Sequence, residues 1–234
     1  NIEVHMKTAL IKVLLVVTSH SQLGDTGRAT GYYLPEVSHP YFELEQAGYQ
    51  VDIASPKGGK APMDENSRDL KDPVNKKFME RKDLVAKIEN TIPLSKVKAS
   101  DYKAIIFAGG HGTMWDFADN KDIAKISASI YESSGVVAAV CHGPAALLGI
   151  KLSNGKYLIS GKEVAGFSNA EEEAAKLTKV MPYLLETELV KKGAKYSKAA
   201  LWQEHVVVSE RLVTGQNPAS AEKVGREVVR LLKK

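Results

Sequence analysis

The chain has 234 residues, and its 44% hydrophobic and 26% charged content is typical of a globular protein with one large α/β domain. Its formal net charge is +4, from 32 basic and 28 acidic residues, and so mild an excess does not favour nucleic-acid binding. The single cysteine excludes an internal disulfide, and no apolar run of the sequence is long enough to span a bilayer. We therefore expect a cytoplasmic protein that does not insert into a membrane.

Four short apolar runs predict the central strands of a parallel sheet. They are residues 11–19, 49–56, 104–110 and 135–141. Near-continuous apolar sequence is typical of parallel strands that helices cover on both faces. Helical patterns lie between these runs, at 40–47 before Gly48 and at 119–133, where isoleucines recur at helical spacing. This alternation predicts an α/β fold with a doubly wound parallel sheet.

The C-terminal part of the chain continues the alternation of strands and helices. Residues 164–168 predict a further strand, and 204–216 predict a hairpin that turns at Ser209–Arg211. A final helix is expected over 217–232, with Pro218 in its first turn, where the missing N–H of proline does no harm.

The domain organisation is predicted to be a single α/β domain over residues 6–234. Polar segments at 57–100 and 176–200 are interpreted as small cap insertions on that domain. Residues 1–5 precede Met6 and are interpreted as the remnant of an expression tag, so they carry no functional prediction.

The only cysteine lies in the sequence AAVCHGPAALL, at 138–148. The pattern predicts a strand, a sharp turn at Cys141 and a helix, and the small residues around the turn suit a nucleophile elbow. An elbow presents its side chain at the carboxyl edge of the sheet, where open α/β sheets place their sites. Amide groups of the following helix would favour the thiolate and could bind an oxyanion. The alternative is a buried structural cysteine.

A glycine-rich segment, AGGHGTMWDF at 108–117, follows the third predicted strand. Its glycines allow the backbone to approach a ligand, and the Gly110 amide could supply a second oxyanion donor. His111 and Trp115 would then be packing residues or walls of a pocket. The alternative is a glycine-rich turn without a ligand, and the spacing does not match a phosphate-binding fingerprint.

Acidic residues follow two other strands. Glu36 lies in GYYLPEVSHP, at 31–40, where it could cap a helix that begins near Pro40. Held beside a thiol, it would instead stay protonated by desolvation and could then move protons. Three glutamates in GFSNAEEEAA, at 166–175, could orient His142, and spacing alone does not choose among them. No short metal-ligand motif is present in the sequence, so no metal is expected.

The segments AVCHGPA, AGGHGTMWD and VTGQNPAS, together with the Glu36 loop, resemble the ThiJ/PfpI superfamily. Within it they are most similar to the branch of glutathione-independent glyoxalases (glyoxalase III, or D-lactate dehydratase) and their heat-shock chaperone relatives. The resemblance extends over residues 12–232. It implies a flavodoxin-like sandwich, with helices on both sides of the sheet, and a homodimer.

The resemblance also implies the roles of individual residues. Cys141 matches the nucleophile, His142 its neighbouring base, and Glu36 the carboxylic acid that hydrogen-bonds the nucleophile. The third triad member falls five residues beyond Phe167, at Glu172, with Glu171 as a near competitor. The oxyanion hole and substrate pocket are then expected at Gly110, His111, Gly112 and Trp115, with the His142 amide as the other oxyanion donor.

The activity that the resemblance implies is a lyase reaction without a cofactor. A small dicarbonyl compound, methylglyoxal, would become D-lactate through a cysteine hemithioacetal and an enediol. The alternatives are a stress chaperone, a protein deglycase and a cysteine peptidase or amidase. A glutamine amidotransferase is disfavoured because the histidine directly follows the cysteine. An accessible thiolate would also be prone to oxidation.

Overall fold

Nine strands occur in the part of the chain that the computed structural model describes, residues 10–234. They are β1 (Lys12–Val16), β2 (Gln50–Ser55), β3 (Ile92–Pro93), β4 (Ala104–Phe107), β5 (Val136–Val140), β6 (Glu163–Val164), β7 (Lys195–Tyr196), β8 (Val206–Ser209) and β9 (Leu212–Gly215). Seven strands form one sheet in the order β3-β2-β1-β4-β5-β9-β8, parallel except for the β8–β9 hairpin. β6 and β7 form a separate pair. The four predicted central strands and the hairpin are confirmed.

The helices of the described residues lie between these strands. They are α1 (Pro35–Gln46), α2 (Pro73–Glu80), α3 (Lys82–Glu89), α4 (Thr113–Asp116), α5 (Lys121–Glu132), α6 (Asn169–Ala174), α7 (Leu185–Lys191) and α8 (Ala221–Leu232). The sheet grows outward from β1 in both directions, so right-handed crossovers place α1 and α5 on opposite faces. α8 packs against α1. The structure is therefore the predicted flavodoxin-like α/β fold.

Local sequence explains where the covering helices begin. Asn120 caps α5 by accepting a hydrogen bond from the Ile123 N–H, and the isoleucines that predicted this helix are buried against the sheet. α1 begins at Pro35, five residues before its predicted start, because a proline suits the first helical position. Pro40 lies inside α1. Consequently Glu36 belongs to the first turn of a helix and not to a loop.

Two further predictions differ from the structure. Of the strand predicted over 164–168, only Val164 is in a strand, and β6 pairs with β7 outside the main sheet. The next residues leave the strand because the Phe167 N–H is used by the Cys141 carbonyl, at 2.8 Å. After Cys141, the predicted helix is a 3₁₀ helix over Gly143–Gly149.

The segments interpreted as caps contain regular structure of their own. Residues 57–100 hold α2, α3 and β3, which joins the edge of the main sheet beside β2, and 176–200 hold α7 and β7. Their interpretation as caps stays a prediction. The predicted tag remnant lies outside the described residues. Among residues 10–234, no helix combines the length and apolar character needed to cross a membrane.

Candidate active site

Cys141 lies directly after β5 in a backbone conformation that side chains rarely adopt. Its φ is 63°, in the left-handed region. Its N–H donates to the Gly215 carbonyl at 2.9 Å, and its carbonyl accepts from the Phe167 N–H at 2.8 Å. A strained conformation of this kind persists only when its surroundings fix it, and such sites are frequently functional. The chain therefore turns sharply at the cysteine, as the elbow pattern predicts.

The glycine-rich loop after β4 packs directly against this turn. A Cβ on Gly109 would lie 2.3 Å from Oε1 of Glu36 and 2.8 Å from the His142 nitrogen, so only glycine fits. The Gly109 N–H donates to that Glu36 oxygen at 2.7 Å. The close approach brings together three segments that are far apart in sequence, and Glu36, Gly109 and His142 meet beside the thiol.

The Glu36 carboxyl is fully buried and has one protein hydrogen bond. Within residues 10–234, its Oε2 has no hydrogen-bond partner. Burial raises its pKa to about 8, although the Gly109 amide and Cys141 act in the opposite direction. The carboxyl group is therefore mostly protonated at neutral pH, as the sequence predicts, and a neutral acid lies beside the thiol.

The thiol itself is buried, with 4% of Cys141 exposed. Burial raises its pKa well above the usual range, and the neighbouring Glu36 and Glu171 carboxyls raise it further. This direction opposes the expectation of a resting thiolate. The short 3₁₀ helix that follows the turn does not outweigh the burial of the sulfur, so Cys141 needs a base before it can attack.

His142 is the base nearest to the thiol. Its Nδ1 lies 3.7 Å from the sulfur, and its Nε2 lies 2.6 Å from Oε2 of Glu172. Burial and the neighbouring His111 lower the pKa of His142, which keeps the ring neutral at physiological pH. Because a carboxylate only accepts hydrogen bonds, Nε2 carries the ring hydrogen and Nδ1 presents its lone pair to the thiol.

Glu172 also accepts a second imidazole. Nε2 of His111 lies 2.8 Å from its Oε1, and the two histidine rings are 4.2 Å apart. Burial alone would raise the pKa of Glu172, but the charge of His142 and the hydrogen bond from His111 lower it to about 2. The carboxylate is therefore ionised and has an imidazole on each oxygen. This arrangement places Glu172 next to His142, and its role as the third triad member stays a prediction.

The other two glutamates, Glu171 and Glu173, make hydrogen bonds to groups other than His142. Glu171 forms a capping box with Ser168 and also accepts from Gln216, Asn217 and the Trp202 N–H, at 2.8, 3.1 and 3.1 Å. These bonds occupy both oxygens of its carboxylate. The Glu173 carboxylate accepts from the Thr178 hydroxyl at 2.6 Å. Of the three, only Glu172 makes a hydrogen bond to His142.

Two amide groups beside the thiol are available to an oxyanion. In the described part of the chain, neither the Gly110 N–H nor the His142 N–H donates to a protein acceptor. The buried Thr113 hydroxyl lies 2.9 Å from the Gly110 carbonyl and 3.1 Å from the His142 carbonyl. It therefore links the two loops that carry these amides, a contact that the sequence did not suggest.

The other predicted pocket residues lie further along the glycine-rich loop. Trp115 stacks on His20, with ring centroids 5.0 Å apart, and both line a cavity of about 420 Å³ that includes none of the triad side chains. Gly112 packs against this same segment, since a Cβ there would lie 2.5 Å from the His20 carbonyl oxygen. The structure thus brings His111 against Glu172 and His142, whereas Trp115 lines a neighbouring cavity and Gly112 packs beside His20.

Two aromatic residues next to the triad carried no prediction of their own. Tyr33 adjoins the thiol, and burial, Cys141 and Glu36 together raise its pKa to about 12. Phe167 lies over the His142 ring at 4.2 Å and contacts the ring of Trp202 at 5.7 Å. Tyr33 stands three residues before Glu36, a proximity that could have drawn attention to it.

The imidazoles and the carboxylate also have the composition of a metal site. One donor atom each from His111, His142 and Glu172 lies within 4.8 Å of the others. Both Glu172 oxygens, however, already accept hydrogen bonds from the two rings. These hydrogen bonds alone explain why the three side chains lie together. We therefore interpret them as acid–base groups and do not assign them as metal ligands.

The site combines a cysteine at a strained turn with a histidine and a carboxylate, and it lies at the carboxyl edge of a flavodoxin-like sheet. This combination defines a class of cysteine-dependent α/β proteins. The DJ-1/PfpI family matches residues 29–231. The chain belongs to this family, and the predicted ThiJ/PfpI resemblance is confirmed.

Individual relatives cover nearly the whole chain. "Glutathione-independent glyoxalase HSP31" of Saccharomyces cerevisiae is 34% identical over 95% of this chain and 98% of its own. "Glyoxalase 3" of Candida albicans is 32% identical over 94% and 98%. Among solved structures, the Rapid Encystment Protein 24 KDa of Francisella tularensis aligns with a TM-score of 0.92 and 43% identity, over 95% of this chain and 99% of its own.

Proposed function

We propose that this protein is a glutathione-independent glyoxalase that converts methylglyoxal to D-lactate without a cofactor. The observation that carries the proposal is the hydrogen-bond chain from Glu172 to His142, whose Nδ1 lies 3.7 Å from the only thiol. Two relatives that match nearly the whole chain are named as glyoxalases. The site residues follow from the geometry and stay part of the proposal.

The first step is attack of Cys141 on the aldehyde carbon, C1. The thiol proton passes to Nδ1 of His142 as the sulfur bonds to C1, and the charge on the ring is balanced by Glu172. The developing oxyanion accepts from the amides of Gly110 and His142, which donate to no other protein group in the described residues. Return of the proton to this oxygen gives a neutral hemithioacetal.

The second step moves the C1 hydrogen to C2 through an enediol. Once His142 is neutral again, its Nδ1 can accept that hydrogen as a proton. Glu36 is mostly protonated because its pKa is about 8, so it can donate a proton or a hydrogen bond to the substrate beside the sulfur. The product is the thioester of lactate, and water then cleaves it to D-lactate and the free thiol.

The buried thiol also bears on the alternative activities. Cys141 is 4% exposed, so a polypeptide cannot reach it without rearrangement, whereas a molecule of three carbons needs little space. This observation disfavours the peptidase alternative. Burial and the raised pKa of the thiol also argue against the fast peroxide oxidation expected of an exposed thiolate.

A homodimer in the cytoplasm is also part of the proposal. The lone free cysteine suits a reducing compartment, and the family resemblance suggests the dimer. Light scattering of the purified protein would give a mass of twice 25.5 kDa. A monomeric mass would contradict the dimer and leave the proposed reaction in place.

The test of the reaction is direct. The purified protein should form D-lactate from methylglyoxal in the absence of glutathione, and Cys141→Ala should form none above the uncatalysed rate. Cys141→Ala should retain the fold, because it replaces a buried thiol by a smaller group, and circular dichroism would check this. Equal D-lactate from both proteins, or none from the native protein, would contradict the proposal.

A further inference from the structure

The proposed isomerisation moves two protons, and one ring nitrogen cannot carry both at once. When the hemithioacetal becomes the lactate thioester, the C1–H and C1 hydroxyl O–H bonds break. A C2–H bond and an O–H bond on the C2 oxygen form, so C1 is oxidised, C2 is reduced and no external electrons are needed. If His142 carries the carbon-bound proton, the oxygen-bound proton needs a second carrier that is free to accept it, and Glu36, which already holds a proton at neutral pH, is not free to do so.

His111 has the chemistry of such a carrier. Its Nε2 donates to the ionised Glu172 at 2.8 Å, so a neutral His111 has a bare Nδ1. Among the described residues, that Nδ1 has no hydrogen-bond partner. The hydrogen bond to Glu172 fixes the tautomer in the same way as the bond from His142 does. The carboxylate therefore orients two imidazoles, each with a basic nitrogen directed away from it.

The two rings differ in access. The side chain of His142 is 1% exposed, whereas that of His111 is 16% exposed. His111 also directly follows Gly110, whose amide is a proposed donor to the C1 oxygen. The more accessible ring thus belongs to the residue next to the proposed Gly110 oxyanion donor, and the buried ring lies next to the sulfur.

Simultaneous protonation of His111 and His142 is unfavourable in this cluster. The ring centroids are 4.2 Å apart, and one carboxylate balances only one imidazolium. A positive charge on His111 therefore lowers the pKa of His142, which suits rings that act in alternation.

We propose that His111 is a second acid–base catalyst of the glyoxalase reaction, which accepts the proton of the C1 hydroxyl at Nδ1 and returns it to the C2 oxygen. This inference rests on the proposed function and deepens it. In this assignment His142 transfers the protons of the thiol and of carbon. Glu172 serves both rings as a shared acceptor.

The test uses His111→Ala and His111→Gln, with His20→Ala as the matched control. His20 lies at the same edge of the sheet but stacks on Trp115, outside the triad. For both His111 variants, kcat for D-lactate should fall on the order of 10²-fold with KM little changed. A methylglyoxal adduct on Cys141 should accumulate and be visible by mass spectrometry. Added imidazole should restore part of the kcat of His111→Ala, and His20→Ala should behave like the native protein.

The outcomes separate the two proposals. If the native protein forms no D-lactate, the proposed function fails. If the native protein is active and either His111 variant matches its kcat, only the role of His111 is overturned. A loss of kcat that imidazole does not restore, without accumulation of the adduct, also overturns it, because a purely structural role would give this result. If His111→Ala does not fold, His111→Gln decides by its kcat and adduct, since its amide can still donate to Glu172.

Discussion

Glu36 and Glu172 are two buried carboxyl groups on either side of the same active-site cluster, and their pKa values are shifted in opposite directions. Glu36 has a pKa of about 8, and Glu172 has a pKa of about 2. Burial raises both, so burial is not what separates them. Glu172 accepts a hydrogen bond on each oxygen from an imidazole, whereas among residues 10–234 Glu36 has one amide donor and one oxygen without a partner.

The opposite pKa shifts of Glu36 and Glu172 indicate different chemical roles. Paired titratable groups whose environments separate their pKa values commonly mark the acid and the base of an enzyme. In the proposed reaction, Glu172 is the permanent anion that orients and balances the imidazoles, and Glu36 is the neutral acid. The charge of His142 and the hydrogen bonds from both imidazoles lower the pKa of Glu172, whereas in the described part of the chain Glu36 has no such partners to offset its burial.

The largest effect is expected from neutralising the anion. Glu172→Gln should lower kcat on the order of 10³-fold, because an amide cannot accept from both rings or balance the charge on His142. Steady-state D-lactate kinetics would measure this. Glu171→Gln is the adjacent control, and an equal loss of kcat in both variants would mean that the negative charge of Glu172 has no special role.

Removing the acid should have a smaller effect. Glu36→Gln keeps the shape and an acceptor for the Gly109 N–H but carries no transferable proton, so kcat should fall on the order of 10²-fold. Glu36→Asp should retain more activity than Glu36→Gln if the proton matters. Higher activity in the glutamine variant would show that Glu36 acts by shape alone.

The two carboxyls should also respond to pH in opposite ways when stability is measured. A folded pKa above the unfolded value of 4.5 means that native Glu36 binds its proton more tightly, so it costs stability as pH rises from about 4.5 to about 8. The advantage of Glu36→Gln over the native protein should grow by about 1.4 kcal/mol per pH unit in that window. Denaturant unfolding from pH 5 to pH 9 would measure it, and a constant difference would contradict the raised pKa.

The contribution of Glu172 to stability should change with pH in the opposite direction. Its folded pKa lies below the unfolded value, so its stabilisation is present above about pH 4.5 and is lost as pH falls towards 2. Glu172→Gln should therefore be less stable than the native protein at pH 7 and approach it as the pH is lowered. A gap that widens on acidification would reverse the assignment of Glu172 as the anion.

Glu171 is expected to affect stability more than catalysis, in contrast to Glu172. Its carboxylate connects Ser168, Gln216, Asn217 and the Trp202 N–H, so Glu171→Gln should cost about 1–3 kcal/mol of unfolding free energy. Its effect on kcat should be much smaller than that of Glu172→Gln. Urea denaturation and the D-lactate assay on the same preparations would test both parts. A stable but inactive variant would place Glu171, and not Glu172, in the catalytic set.

The smallest effect is expected from removing metal ions. Because the imidazoles and Glu172 satisfy one another, activity should be unchanged after dialysis against a chelator. Metal analysis before and after dialysis would accompany the assay. Activity that is lost with the chelator and restored by Zn²⁺ would mean that the cluster binds a metal.

The sequence predicted the sheet and the elbow well because both depend on local pattern. The apolar runs and the small residues around Cys141 determine them without reference to distant residues. The choice of Glu172 over Glu171 came from family resemblance, since three consecutive glutamates on a helix start look alike. Only the contacts of Gln216 and Asn217 show which one is already occupied.

Other properties needed the tertiary structure. The start of α1 was predicted near Pro40 and was wrong by five residues, because Pro35 suits a first turn equally well and local sequence does not rank the two prolines. The state of the thiol was predicted from the helix that follows it, whereas burial and the approach of Glu36 decide it. The link between His111 and Glu172 joins residues 61 positions apart, and no local pattern reveals a pairing at that distance.

The relative position of the two loops at the site depends on Thr113, a side chain that takes no part in the proposed reaction. Its single hydroxyl lies between the carbonyls of Gly110 and His142, which come from loops after different strands. The hydroxyl thus couples the position of each loop to that of the other. Mutations on either loop should therefore be non-additive with mutations on the other, and natural variation in one loop should be tolerated only when the other adjusts with it.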